Sequence, residues 1–274
     1  MANIRLIKRR IRSLQNTAKI TKAMEMIAAS KMRRTQMRAL AARPYADRVR
    51  ELLSHLAAIQ REGEPTAPLL EHRPVEKVAI VHFAADRGLC GGLNANVNRR
   101  TLALVRELGK PVSIVAVGRR GRDFVARYLG SLTAEFIGLG DKAGIADIHP
   151  IAHLIMEDYI QKAVDKVYLV YPQFVTTAVQ RPVVQTLLPV EPARLERPGV
   201  EYIWEPESPL VLAALLPRYV EMQLYHAYLE EVASEQSARM VAMRSATDNA
   251  NEITGELTLS YNKARQEAIT KELL

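Results

Sequence analysis

The final quarter of the chain carries a hydrophobic repeat that constrains the fold more than any other feature. Over residues 215–268, apolar or small residues recur at steps of three and four, with Gln236 as a polar exception, so that 15 steps cover 53 residues. A repeat near 3.5 keeps one stripe of a helix facing a partner helix and predicts a left-handed supercoil. Ser208 and Pro209 suit the first positions of such a helix. Residues 208–274 are therefore predicted to form one long, paired helix.

The opening stretch predicts a second long helix over residues 1–61, which contain no glycine. Its apolar stripe has the same spacing at both ends. In the middle, the apolar positions shift to Ile20, Ala23 and Ile27, which predicts a stripe that drifts around the helix. Pro44 predicts a bend or break in this helix, and Pro217 predicts a kink or restart in the other. Because both ends of the chain carry a stripe, we predict an antiparallel coiled coil.

Residues 75–190 change to a period typical of strands and predict a Rossmann-like α/β domain. The strands are placed at 75–83, 112–118, 133–138, 166–172 and 182–190, and the helices at 94–108, 123–129 and 151–163. Alternating strands and helices favour an open, mostly parallel sheet. This sheet is inserted between the two long terminal helices. A linker at 62–74, with proline and glycine, leads into it, and a connection at 191–207, rich in Pro and Glu, leads out.

Charge is distributed unevenly along the chain. Residues 1–43 hold twelve Lys or Arg and one acidic residue, whereas residues 208–274 hold six basic and nine acidic residues. A basic excess on one helix predicts an acidic partner. The alternative partner is nucleic acid, which the chain would bind as a coiled-coil scaffold. The hydrophobic stripe and the lack of interleaved aromatic residues favour an acidic protein surface instead. No run of 18 apolar residues is present, so we predict no transmembrane segment.

Three features resemble parts of catalytic or ligand-binding sites, and each also has a purely structural interpretation. The turn GLCGG at 88–92 follows the first predicted strand, where a dinucleotide phosphate would bind, but its spacing differs from G-x-G-x-x-G. Tight packing is the favoured interpretation, and a nucleotide-binding α/β enzyme is the alternative. Cys90 has the plainer interpretation of a small buried thiol, and a nucleophile is the alternative, although no histidine is near it in the sequence. His149 and His153 lie four residues apart, and a metal site is the alternative there, although the H-E-x-x-H pattern is absent. We predict no catalytic residue, no metal site and no cofactor.

Three parts of the chain resemble the gamma subunit of the F-type ATP synthase, the central rotor shaft of that enzyme. They are KRRIRSLQNTAKITKAMEMIAASKMRRTQ near the start, DRGLCGGLNANV after the first predicted strand, and SEQSARMVAMRSATDNANEI with LSYNKARQEAITKELL at the end. Together with the order of arm, α/β domain and arm, the resemblance covers essentially the whole chain. It implies a non-catalytic subunit that couples rotation of a proton- or sodium-driven membrane ring to conformational change in catalytic beta subunits.

The resemblance also implies partners and a location. The coiled coil would enter a ring of three alpha and three beta subunits, and the α/β domain would rest with epsilon on the membrane rotor ring. The protein would be peripheral, at the cytoplasmic face of a bacterial plasma membrane. The family usually continues with a small-residue tail beyond the position of Leu274, which implies a short tip or a truncated sequence here.

Residue roles follow from the same resemblance. Lys19, Lys22 and Met24 lie in the segment that matches the family's contact with the acidic lever of the beta subunits. Arg239 matches an arginine that stabilises this contact. Further positions match the contact with the beta catch loop or, only loosely, the region near epsilon and the ring. The catch-loop positions are Arg265, Gln266 and Thr270, and the loose matches are Tyr202, Trp204 and Glu205.

Overall fold

A computed structural model of the chain describes residues 2–59, 67–191, 205 and 207–273. Within these residues, two long helices enclose five strands and three shorter helices, as predicted. The elements are α1 (Ala2–Ile59), β1 (Val78–Phe83), α2 (Leu93–Leu108), β2 (Val112–Val117), α3 (Arg119–Tyr128), β3 (Leu132–Phe136), α4 (Ile145–Ile160), β4 (Lys166–Phe174), β5 (Gln180–Leu188) and α5 (Ser208–Leu273), with a 3-10 turn at Pro68–Leu70. Helix α4 begins earlier than predicted, because the Asp147 carboxylate accepts the Gly144 N–H and caps an extra turn.

The terminal helices α1 and α5 are continuous over 58 and 66 residues. At about 1.5 Å per residue they span about 87 Å and about 99 Å. Pro44 and Pro217 lie inside them, so α1 is not broken at Pro44 and α5 does not restart at Pro217, whereas a bend or kink at these residues stays a prediction. A proline removes one helical hydrogen bond, at a cost of about 3 kcal/mol. Around Pro217 this cost is offset by packing, since Leu216 and Val220 are buried in the main core.

The pairing of α1 with α5 is antiparallel, as predicted. Near one end of the pair, the hydroxyl oxygens of Thr21 and Thr247 lie 2.7 Å apart. Toward the other end, Arg50 hydrogen-bonds the hydroxyl of Tyr219. Residue numbers therefore rise along α1 while those of the facing residues fall along α5. The left-handed sense of the supercoil stays a prediction from the repeat.

The inner stripe of α1 does not drift, and the prediction that it does is wrong. Ala18, Thr21, Ala28 and Thr35 are buried toward α5, whereas Ile20 is 61% exposed. The spacing of three and four keeps these residues on the one face of α1 that lies against α5. Threonines can occupy this face since their hydroxyls have partners. That of Thr35, for example, donates to the Lys31 carbonyl at 3.1 Å.

The strands form one sheet in the order β3-β2-β1-β4-β5. The first four strands are parallel and β5 runs antiparallel to β4, so the prediction of a mostly parallel sheet is confirmed. Side chains of β1 alternate between two layers of core. Val78 and Ile80 pack with α2 and α3, whereas Val81 and Phe83 pack with α4, α1 and α5. The long helices therefore form one outer layer of the α/β domain and extend beyond it.

A fully buried histidine, His82, joins β1 to α2. Its Nε2 lies 3.0 Å from Asn98 Oδ1, and its Nδ1 lies 2.9 Å from the hydroxyl of Thr101. A carbonyl oxygen only accepts, so we assign the ring proton to Nε2 and let Nδ1 accept from Thr101. Burial lowers the pKa of His82 to about 4, against the smaller raising effect of Asn98. The ring is therefore neutral in the folded protein at neutral pH.

Acid is expected to destabilise the chain through His82. The unfolded state binds a proton near pH 6.5 and the folded state only near pH 4, so the stability present above pH 6.5 is lost as pH falls through this window. The loss attributable to His82 is about 3 kcal/mol. Urea unfolding of the parent and His82→Gln across this window measures it, with the exposed His153→Gln as control. Equal pH slopes in the parent and His82→Gln would contradict the prediction.

Candidate partner surface on the paired helices

The distal part of the helix pair extends beyond the α/β domain. Among the described residues, the first buried one of α1 is Ala18 and the last buried one of α5 is Ala250. Beyond them the facing stripes are only half-buried, and large apolar side chains point outward, with Leu6 45% and Leu259 74% exposed. Exposed apolar residues in such a stretch mark a protein interaction surface. We call this stretch, residues 2–30 and 247–273, the distal rod.

The α1 side of the distal rod is strongly basic. Lys19 is exposed, and the Lys22 side chain is 55% exposed while its ammonium lies 3.0 Å from Glu25. An exposed pair of this kind contributes little to stability, about 0–1 kcal/mol. The other exposed basic residues toward the start of α1 are Arg5, Lys8, Arg9, Arg10 and Arg12. The charge that predicted an acidic partner therefore lies on the surface, where a partner can reach it.

Met24 and Arg239 are brought to one place, at the base of the distal rod. Met24 is half-buried and lines a cavity between the rod and the α/β domain, and Arg239 lines the same cavity. Arg239 is almost fully buried. It donates to Glu235 Oε1 at 2.5 Å and to the Gly88 carbonyl at 3.1 Å. Within the chain, Arg239 thus ties α5 to the glycine turn, a contact that the sequence did not indicate.

Arg265, Gln266 and Thr270 lie exposed near the end of α5. The Thr270 hydroxyl donates to the Gln266 carbonyl at 3.0 Å, which places Thr270 over the same face one turn later. The pairing register puts Arg265 beside the first residues of α1. Their side chains are available to a partner, and their contact with a catch loop stays a prediction.

The positions matched loosely to epsilon and the ring are described only in part. Tyr202 and Trp204 lie outside the described residues. Glu205 is exposed in a bend before α5. Their roles stay predictions.

The glycine turn is held by side chains of the chain itself. The Asp86 carboxylate accepts the N–H groups of Arg119 at 2.9 Å and Gly138 at 3.0 Å, and Asn94 Oδ1 accepts the Ala85 N–H at 3.1 Å. A phosphate cradle needs free N–H groups at this place. These contacts hold the segment before the glycine turn against the residues that follow β2 and β3, and Arg239 holds the Gly88 carbonyl, so they favour tight packing.

Cys90 and the two histidines have structural partners. Cys90 is buried, Asn94 Nδ2 lies 3.2 Å from its sulfur, and burial raises the pKa of its thiol, so little thiolate forms at neutral pH. His149 Nδ1 lies 2.7 Å from Glu221, whereas His153 Nδ1 lies 3.6 Å from Glu157. Each ring thus has its own carboxylate. Within the described residues, no cluster of three or more potential metal ligands occurs.

Sequence reasoning missed the links between the helix pair and the α/β domain. On α1, the Lys31 ammonium lies 3.3 Å from Asp141 and Arg38 donates to the Asp141 carbonyl at 3.0 Å. On α5, Ser234 donates to the Pro172 carbonyl at 2.9 Å and Glu230 accepts the Phe174 N–H at 2.7 Å. No pattern in the sequence marked these contacts, because Glu230 and Ser234 lie outside the apolar stripe of α5. Searched over its described residues, the structure has no helix with the length and hydropathy to cross a membrane.

Comparison with known proteins agrees with this architecture. A family model described as ATP synthase matches residues 3–274. The ATP synthase gamma chain of Dehalococcoides mccartyi is 60% identical over 276 residues, which cover 100% of this chain and 96% of that relative. The corresponding chain of Herpetosiphon aurantiacus is 47% identical over 283 residues, with the same coverage.

Solved structures agree in fold. A chain of the Tetrahymena thermophila mitochondrial ATP synthase central stalk and c ring matches with a TM-score of 0.64 and 26% identity, over 83% of this chain and 99% of that one. A chain of the Euglena gracilis mitochondrial ATP synthase rotor matches with a TM-score of 0.65 and 17% identity, over 98% and 99% of the two chains, a likeness in fold alone. The full-length match at 60% identity decides the matter: the chain belongs to the ATP synthase gamma-chain family.

Proposed function

We propose that this chain is the central shaft of a rotary ATP synthase and transmits rotation of a membrane ring to catalytic beta subunits. One observation carries the proposal: a long, paired rod with an apolar and basic surface projects from a compact domain to which it is firmly linked. A shaft must turn inside its collar. Most of its contact surface should therefore be apolar, so that the contacts do not fix one orientation of the shaft. Directional hydrogen bonds should be confined to a few positions.

The proposal assigns a role to each part of the chain. Residues 1–61 and 208–274 form the shaft, whose distal rod enters a ring of three alpha and three beta subunits. Residues 75–190 form the foot, which rests with epsilon on the membrane rotor ring; residues 62–74 and 191–207 connect foot and shaft. The chain is peripheral at the cytoplasmic face of a bacterial plasma membrane. The chain itself catalyses nothing, and the chemistry of ATP belongs to the beta subunits.

Torque transmission requires a stiff joint between foot and shaft. Both helices are tied to the α/β domain by several polar contacts, among them the Lys31–Asp141 pair on α1 and the Ser234–Pro172 bond on α5. Burial alone raises the pKa of Asp141. The hydrogen bond and charge of Lys31 outweigh burial and hold the pKa below its usual range, so this carboxylate is ionised and paired at neutral pH. Buried apolar side chains of α5, such as Leu224 and Val232, add a continuous core beneath these contacts.

We further propose that a few side chains of the distal rod make the directional contacts. Lys19 and Lys22 face the acidic lever of the beta subunits, with Met24 packed beside it and Arg239 holding the base of this contact. Arg265, Gln266 and Thr270 bind the catch loop. The exposure of Lys19, Lys22 and the three distal residues supports these roles. The buried position of Arg239 supports a positioning role, exerted through the glycine turn.

Reconstitution with alpha and beta subunits tests the proposal. The parent chain should form a complex with three copies of each, and Lys19→Glu with Lys22→Glu should lower ATP turnover because it places like charges opposite an acidic lever. We expect a reduction of about tenfold, since repulsion in a closed interface is of the order of 1.4 kcal/mol or more. The defect should become smaller as salt screens the repulsion.

The matched control is Arg127→Glu, a charge reversal at an exposed arginine of α3 on the α/β domain. It changes the net charge in the same sense and should leave turnover at the parent rate. Failure of the parent chain to assemble with alpha and beta subunits would contradict the proposed function. Normal turnover by the double variant would contradict only the lever contact.

A further inference from the structure

A cavity of about 750 Å³ separates the base of the distal rod from the α/β domain. It lies at the carboxyl ends of β1, β2 and β3, the edge where open α/β sheets bind ligands. Apolar side chains from both sides line it, including Met24 and Ile27 of α1, Phe136 at the end of β3 and Tyr228 of α5. Cavities with an apolar lining and a few polar groups are typical of small-molecule sites.

One buried carboxyl on this wall has an oxygen without a hydrogen-bond partner among the described residues. Glu231 of α5 is only 5% exposed, and within the described part of the chain its Oε1 accepts no hydrogen bond. A buried polar group without a hydrogen bond carries a free-energy cost. Other polar groups on the wall have partners: Asp86 accepts two backbone N–H groups, Glu235 pairs with Arg239, and Asp141 pairs with Lys31. Glu231 is therefore the group that a ligand would satisfy.

The charges around Glu231 come from several elements. On α5 it faces Glu235 and Arg239, and on the turn after β1 it faces Asp86. Tyr228 and Cys90 are near enough to be affected by its charge. Burial first, and then Glu235 and Asp86, raise the pKa of Glu231, and Arg239 offsets this only in part. The raised pKa favours the neutral carboxyl, and a cation placed beside it would favour the ionised form.

The mouth of the cavity has the opposite character. Arg87, Arg119 and Arg120 line it and are exposed, and the Arg120 guanidinium packs against Gly88. Arg239 and Lys31 are already paired with carboxylates, so these three arginines are the cations left for a ligand. Among the described residues, the interior thus offers a carboxyl oxygen without a hydrogen-bond partner, and the mouth offers arginines that are not paired with a carboxylate.

We propose that this cavity binds a small zwitterion. Its guanidinium end pairs with Glu231, and its carboxylate end faces the arginines at the mouth. A guanidinium is planar, weakly hydrated and matched to a carboxylate in shape, which suits it to a buried acid better than an ammonium. A short apolar chain between the two ends contacts Met24 and Phe136. This binding site lies within one chain and does not depend on the proposed rotary function.

The test uses the full chain and the probe 4-guanidinobutyrate, with binding measured by calorimetry. We expect saturable binding that strengthens as pH is raised, because binding ionises Glu231 and releases its proton. Buffers with different ionisation enthalpies should report that proton. The isosteric Glu231→Gln should weaken binding about tenfold or more and abolish the proton release. Glu256→Gln, an exposed change on the same helix, is the matched control and should bind as the parent does.

A second ligand tests the orientation. Butylguanidinium lacks the carboxylate, so it should bind more weakly, and Arg119→Ala with Arg120→Ala should weaken 4-guanidinobutyrate but not butylguanidinium. Absence of saturable binding by the parent would overturn the proposal. Unchanged affinity in a folded Glu231→Gln would do so too. Should that variant fail to fold, a parent that binds without releasing a proton would overturn it equally.

Discussion

Replacing Arg265 and Gln266 with alanine is expected to lower ATP turnover of the reconstituted complex by about ten- to a hundredfold while leaving the chain folded. Both side chains are exposed on α5, so their removal costs the fold little. A guanidinium and an amide that bind a partner loop in one rotary state make charge-assisted hydrogen bonds, which contribute about 1.5–3 kcal/mol. Loss of that free energy in the rate-limiting state corresponds to the expected fall in turnover.

The control for this variant is alanine at Asn262 and Lys263, an exposed amide and cation one turn earlier on the same helix. Turnover, assembly and far-UV circular dichroism of both variants should be compared with the parent. The catch contact would be refuted by a double variant at Arg265 and Gln266 that assembles and turns over at the parent rate. Equal loss in the control would instead indicate a general effect of polar residues on this helix.

Gly118→Ala is expected to destabilise the chain by more than about 4 kcal/mol, one of the largest effects that a single methyl group can have. Gly118 follows β2 with φ +97°, and a Cβ there would lie 1.7 Å from the Ala84 carbonyl oxygen. The backbone cannot move away easily. The Gly118 N–H donates to the Phe136 carbonyl at 2.8 Å, and the Ala84 N–H donates to the Val117 carbonyl at 2.9 Å. Three strand ends converge where the methyl group would be placed.

Gly130→Ala separates this clash from backbone strain. Gly130 also has positive φ, +65°, but nothing lies within 4 Å of a Cβ built there. Its replacement should cost only about 1–2 kcal/mol, the penalty of a left-handed conformation for an L-residue. Urea unfolding of both variants measures the two costs. Similar losses at Gly118 and Gly130 would mean that the strand ends can relax around the methyl group.

The local elements could be predicted from the sequence because each has its own period. The strands between residues 75 and 190 were found from β-branched runs, and both terminal helices from a spacing of three and four. The antiparallel pairing also followed, since two apolar stripes at opposite ends of one chain have to be buried together. On the distal rod, exposure of Lys19, Arg265 and Gln266 agrees with their predicted contact with partners.

What the sequence determined by itself was therefore the set of elements, the pairing of the two arms and the excess of basic charge on one of them. Tertiary structure alone decided whether Pro217 breaks its helix, which inner positions Thr21 and Thr35 occupy, and where Arg239 points. The reason is physical. Periodicity records which face of an element is buried. Contacts between residues far apart in the chain decide, through their free energy, whether a proline breaks a helix, whether a threonine occupies the buried stripe and whether an arginine is buried. Glu231 is the clearest case. Its Oε1 is buried without a hydrogen-bond partner among the described residues because α5 packs over the ends of β1, β2 and β3.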